Sequence, residues 1–211
     1  MVSALEAFER LREGNRRFAA DEPSKKTRLG GRREALRGGQ EPFAIILGCS
    51  DSRVPAEIIF DQGLGDLFVI RVAGNIVAPS QIGSVEFAAT NFGTRLVVVL
   101  GHSQCGAIHA TVQQLREAGE DRSPNLRTIV EFIRPSVESL IEQGLGDEPD
   151  VLIERAVRAN IRASAERMRH GSTILEELER DDGLLIVGAE YSLDTGLVDF
   201  FDGVPGGERN D

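Results

Sequence analysis

Phe43-Ala44-Ile45-Ile46-Leu47-Gly48 is an apolar run of strand length that stops at Cys49. Because successive residues are apolar, a strand built from it has both faces covered. Leu67 to Val72 and Leu96 to Leu100 share this character, and Leu184 to Val187 makes a fourth such run. Helical candidates lie between them: Gln81 to Phe92, bracketed by Pro79-Ser80 and Gly93, and Ala107 to Ala118, which stops at Gly119. Doubly covered strands that alternate with helices predict an α/β fold with a mostly parallel central β-sheet flanked by helices.

Towards the N-terminus, Ser3-Ala4-Leu5-Glu6 fits a capping box, and helix formers continue to about Phe18-Ala19-Ala20. Leu5, Phe8, Leu11 and Phe18 give that helix an apolar side, and nothing nearby in sequence is an obvious core to receive it. A partner subunit is expected to supply one. Asp21 to Gly31, punctuated by Pro23, reads as a linker, and Arg32 to Arg37 as a short helical piece. Towards the C-terminus, Ser123 to Gly171 reads as two helices, with Pro135 able to kink the first. Asp194-Thr195-Gly196 separates two apolar stretches, so Leu197 to Phe201 is expected to return as an antiparallel edge strand. The expectation is one domain over residues 1–211, with an N-terminal helical arm over 1–40 and an α/β core over 41–211.

The chain has 211 residues and 41% hydrophobic content, enough for one sizeable core. Acidic residues outnumber basic ones by 34 to 24, and the formal charge of -10 repels nucleic acid and anionic membrane. No segment has the order of a signal peptide, and no apolar run approaches the roughly 18 to 20 residues that span a bilayer. A cytoplasmic protein with neither nucleic acid nor membrane as partner is expected. Tryptophan is absent and Tyr191 is the single tyrosine, which argues against broad aromatic platforms for bases or sugars. Cys49 and Cys105 are the only cysteines, and in a reducing compartment they point to binding or catalysis rather than a disulfide.

Gly48-Cys49-Ser50-Asp51-Ser52-Arg53 begins where the first strand stops, and Gly101-His102-Ser103-Gln104-Cys105-Gly106 begins where the third stops. In open parallel sheets this edge forms sites when the two strands are neighbours. Two thiolates and an imidazole suit a soft divalent ion, and three protein ligands leave a fourth tetrahedral position for water. Zinc is the metal these donors favour. A single buried cysteine is more often a small hydrophobe, and an aspartate beside an arginine can simply fix a loop. H-x-x-C alone is a weak signal; C-x-D-x-R at an equivalent strand end makes the pair specific.

Cys49-Ser50-Asp51-Ser52-Arg53-Val54-Pro55-Ala56-Glu57 and His102-Ser103-Gln104-Cys105-Gly106 resemble the β-class carbonic anhydrases. Gly65-Asp66-Leu67-Phe68-Val69-Ile70-Arg71 and Ala73-Gly74-Asn75 are similar to that family too. The likeness is strong from about Gln40 to Ala110 and looser beyond, where Val187-Gly188-Ala189 and Thr195-Gly196 also fit. The resemblance implies reversible hydration of carbon dioxide to bicarbonate and a proton by a zinc-bound hydroxide. Cys49, His102 and Cys105 would be the zinc ligands, and Asp51 and Arg53 a catalytic dyad. Asp51 would accept a hydrogen bond from the hydroxide, and Arg53 would hold its carboxylate off the metal. In a closed form Asp51 would instead take the fourth zinc position.

The same resemblance implies a substrate pocket of Phe68, Ala73 and Phe87, with hydrogen-bond donors from Gln40 and the Gly106 backbone N–H. Each of these residues has a plainer reading as core or surface. Some relatives have tyrosine where Phe87 stands. Others have, where Ile46 stands, a tryptophan that belongs to a regulatory bicarbonate pocket, so that pocket is not expected here although Arg71 remains. A homodimer or homotetramer is implied, because the family builds its site at a dimer interface. His109 and His170 read as exposed helical residues, which leaves the proton shuttle unassigned. Three other readings stay open. Related folds with the same ligands hydrolyse carbonyl sulfide or carbon disulfide; Asp51 could complete a non-catalytic four-ligand zinc site; and a dithiol redox protein would need both cysteines within disulfide range, without the usual C-x-x-C.

Overall fold

A computed structural model describes residues 2–24, 31–116, 123–145 and 148–206. In chain order the elements are α1 (Ala4–Ala19), α2 (Arg32–Ala35, followed by a 3-10 turn at Leu36–Gly38), β1 (Ala44–Gly48), α3 (Ala56–Ile59), β2 (Leu67–Arg71), α4 (Pro79–Asn91), β3 (Leu96–His102), α5 (Gly106–Arg116), α6 (Pro124–Glu142), α7 (Pro149–His170), α8 (Thr173–Asp181), β4 (Leu185–Tyr191) and β5 (Val198–Asp202). The strands form one sheet in the order β2-β1-β3-β4-β5. Its first four strands are parallel, and β5 returns antiparallel to β4. The α/β architecture expected from the apolar runs is therefore present, including the antiparallel edge.

Alternation along the strands explains why these runs are apolar throughout. Ile45, Leu47, Val97, Val99 and Ile186 face a core shared with α4 to α8. Their neighbours Ala44, Ile46, Val98, Leu100 and Val187 face a second core closed by α1 and α3. Burying each such side chain stabilises the fold by roughly 1.5–3 kcal/mol, so both layers are needed to offset chain entropy.

The surface that receives α1 lies within its own chain, which corrects the expectation of a partner. The Ser3 hydroxyl accepts the Glu6 N–H at 3.2 Å and caps the helix. Ala7, Phe8 and Leu11 are buried in the second core, and the Phe8 ring meets Phe200 edge-on at 4.9 Å. Asn15, also buried, donates to the carbonyls of Ile59 and Gly196 and accepts the Val198 N–H. The receiving groups come from α3 and the β4–β5 hairpin, too far along the chain to be seen as a neighbouring core.

Other boundaries moved for traceable reasons. β3 runs past Leu100 to His102 and β4 to Tyr191, because these two ends continue pairing with each other. β5 starts and stops one residue later than expected. α6 passes through Pro135 without a break. α8 was not anticipated, although Ser172 accepts the Leu175 N–H as a typical cap would. The expected end of α5 at Ala118-Gly119 and residues 25–30 of the expected linker lie outside the described residues. Among the described residues, no helix is long and apolar enough to cross a membrane.

Candidate metal centre

β1 and β3 lie side by side with Gly48 opposite Leu100, so the segments that follow them leave the sheet at the same edge. That register brings Cys49, His102 and Cys105 together. Their sulfurs and a ring nitrogen lie within 4.8 Å of one another, and all three residues are buried. His102 Nδ1 is 2.9 Å from the Ser103 carbonyl oxygen, which can only accept. The proton is thereby assigned to Nδ1, and Nε2 is left with its lone pair. This buried Nε2 has no hydrogen-bond partner among the described residues. A buried acceptor beside two sulfurs is satisfied by a cation, and N, S, S is the donor set that zinc prefers. The residues present therefore fit zinc.

The two sulfurs ionise unequally. The hydrogen bond from Cys105 holds the Cys49 thiol below its usual range against the opposing effect of burial. Contacts from His102, the Asp51 backbone and the Gly74 backbone act in the same direction as Cys105, and the Gly74 N–H lies 3.4 Å from the Cys49 sulfur. The same sulfur contact, then burial, pushes Cys105 up. The contact between the sulfurs disfavours two thiolates side by side, and a neighbouring positive charge would favour both.

Asp51 and Arg53 meet at the mouth of this cluster. The Arg53 guanidinium donates from Nε to Oδ1 at 2.9 Å and from Nη2 to Oδ2 at 2.8 Å, and the Arg53 backbone N–H also reaches Oδ1. These bonds hold the Asp51 carboxyl well below the usual carboxylate range. Oδ2 is nevertheless only 3.9 Å from His102 Nε2. Behind the pair, Arg71 at the end of β2 donates to the carbonyls of Cys49 at 3.0 Å and Asp51 at 2.6 Å. The sequence reading gave Arg71 no part in the centre; a charged residue ending an otherwise apolar strand was the available signal.

Ala73 opens the turn that presents Gly74. Gly106 begins α5 directly after Cys105, and a side chain there would meet nothing within 4 Å, so its face of the helix terminus is open. Phe68, Phe87 and Gln40 stand elsewhere. Phe68 pairs with Ile45, three residues back along β2 from Arg71, which is roughly 10 Å of strand. It stacks with Phe87 and Phe92 in a cluster whose centroids are 5.6 to 6.2 Å apart, and Phe87 is 51% exposed. Gln40 precedes β1, at the opposite end of that strand from Cys49, beside Arg32, Glu41 and Asp66. His109 and His170 are exposed on helices, as expected. A cleft of about 800 Å³, lined in part by Ser103, Gln104 and His109, opens beside the centre and includes none of its three ligand residues.

Comparison with known proteins agrees with this fold. A family model described as carbonic anhydrase matches residues 44–198. "Carbonic anhydrase 2" of Mycobacterium tuberculosis is 41% identical over 195 residues, covering 92% of this chain and 91% of the relative. The solved structure of the β-carbonic anhydrase CcaA superposes with a TM-score of 0.72 at 26% identity, covering 96% of this chain and 91% of that one. One of two tetrameric β-carbonic anhydrases from Sordaria macrospora gives a TM-score of 0.73 at 24% identity, over 92% of this chain and 96% of that one.

Proposed function

The chain belongs to the β-carbonic anhydrase family, and from that premise we propose that it hydrates carbon dioxide reversibly with zinc held by Cys49, His102 and Cys105. The observation that carries the assignment is the buried, unpartnered His102 Nε2 beside two sulfurs, with an arginine-held carboxylate at the opening. Zinc in this position supplies a Lewis acid that brings the pKa of a coordinated water towards neutrality.

The chain's own groups would do the rest. Asp51 accepts the reacting water's O–H and so turns a lone pair towards carbon dioxide. Arg53 keeps that carboxylate charged, oriented and away from the ligands. The Gly106 N–H, at the start of α5, offers a donor and a helix N-terminus to the negative charge that develops on the product. Gln40, Phe68 and Phe87 would complete the pocket of a second copy of the chain in a homodimer or homotetramer. The exposure of Phe87 beside the edge strand β2 supports that placement. Both cysteines must remain reduced for this role, which suits the cytoplasm.

The test is metal analysis coupled to stopped-flow carbon dioxide hydration on the purified protein. About one zinc per chain and measurable hydration are expected. Cys105→Ser should lose most of both, because an alcohol is a far poorer zinc ligand than a thiolate. Full zinc occupancy in that variant would remove Cys105 from the ligand set. Zinc without hydration at any pH would make the centre structural.

A further inference from the structure

Asn160 is a polar residue on the buried side of α7, among Ala156, Val157, Ile161 and Ser164. It is 2% exposed, and nothing in the proposed reaction uses it. Its Nδ2–H group donates to the Gly74 carbonyl at 2.8 Å. Gly74 is the residue whose own N–H faces the Cys49 sulfur.

The turn around Gly74 is enclosed. The residue adopts φ 70° and ψ 18°, a left-handed conformation that suits glycine. A side chain at this position would come within 2.8 Å of Ile133 from α6 and 3.1 Å of Ala107 from α5. Those two helices fill the space beside Gly74, while Asn160 holds its carbonyl from α7. With the carbonyl fixed, rotation of the glycine is restrained, and so is the direction of its N–H.

We propose that Asn160 is a positioning residue for the metal centre, which aims the Gly74 N–H at the Cys49 sulfur by holding the Gly74 carbonyl. The inference rests on Cys49 being a metal ligand, as argued above. An N–H bonded to a thiolate withdraws electron density from sulfur and fixes the direction of its lone pairs, the kind of support by which outer contacts tune a metal ligand. Removing Asn160 should make Cys49 a stronger but less well-placed donor.

Cobalt(II) in place of zinc reports this directly, because its thiolate-to-metal charge-transfer band moves to lower energy when a hydrogen bond to sulfur is lost. The band energy and the rate of zinc release to a chelator would be compared in wild type, Asn160→Leu, Asn160→Ala and Asn160→Gln. The alanine variant serves should leucine prevent folding. The folded variants without an amide should show the lower-energy band and release zinc on the order of 10-fold faster, with Gln restoring part of each. A lowered melting temperature with wild-type band energy and release rate would overturn the proposal and make Asn160 a plain core amide. Neither readout uses carbon dioxide. A chain that shows these shifts without hydrating carbon dioxide would refute the proposed function and support this inference. A wild type with no thiolate-to-cobalt band would overturn both.

Discussion

Asp51 sits between two partners, with Oδ2 at 2.8 Å from Arg53 Nη2 and 3.9 Å from His102 Nε2. Arg53 depresses the Asp51 pKa, and Asp51 raises that of Arg53. The ion pair is therefore present above the ordinary carboxylate range and is lost only as pH falls through the depressed Asp51 value. Neither member titrates in neutral or mildly alkaline solution. A change of Asp51 partner near neutrality must then come from competition for the metal, where water ionises more readily as pH rises. Activity is predicted to rise above roughly pH 7 to 8. The cobalt-substituted wild type should change its visible spectrum over the same range, with a component from exchange of carboxylate for water that Asp51→Asn lacks. A pH-dependent spectral change identical in wild type and Asp51→Asn would leave simple water ionisation as the explanation. The grouping of Cys49, His102 and Cys105 and the Asp51–Arg53 pair were legible in the sequence as candidates because each motif is short and follows a strand. Arg71 and Asn160 were not, because they act on loops 20 or more residues away, where spacing carries no signal.

Helix α1 shows how an element can be legible while its role is not. Its cap and apolar spacing were evident, yet the groups that cover it belong to α3, Phe60 and the β4–β5 hairpin. Gly14 marks the closest approach, since a Cβ there would lie 1.9 Å from the Phe60 carbonyl oxygen. That atom is backbone and cannot rotate aside. Gly14→Ala is predicted to push α1 outward and lower stability by about 1–3 kcal/mol, read as a shift in the urea midpoint. An unchanged midpoint would mean that α1 is not seated on this surface. Loss of residues 1–20 would expose the chain's own second core, so destabilisation is expected before any effect on assembly.

On the scale of the whole molecule, the sheet ends at β2 on one side and β5 on the other, and the β2 edge carries an aromatic cluster. β2 is a terminal strand with only Leu67 fully buried, and beside it Phe87 stands half out of the protein on top of Phe68 and Phe92. An aromatic cluster with an exposed ring beside an open strand suits self-association, and the net charge of -10 offers no competing attraction to polyanions. Of the residues that family resemblance assigns to the pocket but that lie away from Cys49, His102 and Cys105, Phe68 and Phe87 sit at this edge, and Gln40 lies before β1 beside the turn that leads into β2. A two-fold pairing through it would let each copy lend them to its partner. Wild type is therefore expected to sediment as a dimer or tetramer. Phe87→Glu places a carboxylate at the centre of the patch and should weaken association by about 2 kcal/mol or more, as loss of a central aromatic anchor does. Hydration activity should fall with the fraction of dissociated protein while each chain keeps its zinc, since the three proposed ligands belong to one chain. Phe87→Leu, which keeps an apolar anchor, should retain most of the assembly. If Phe87→Glu sediments and turns over as wild type does, the copies meet through another face and the pocket residues must be sought there.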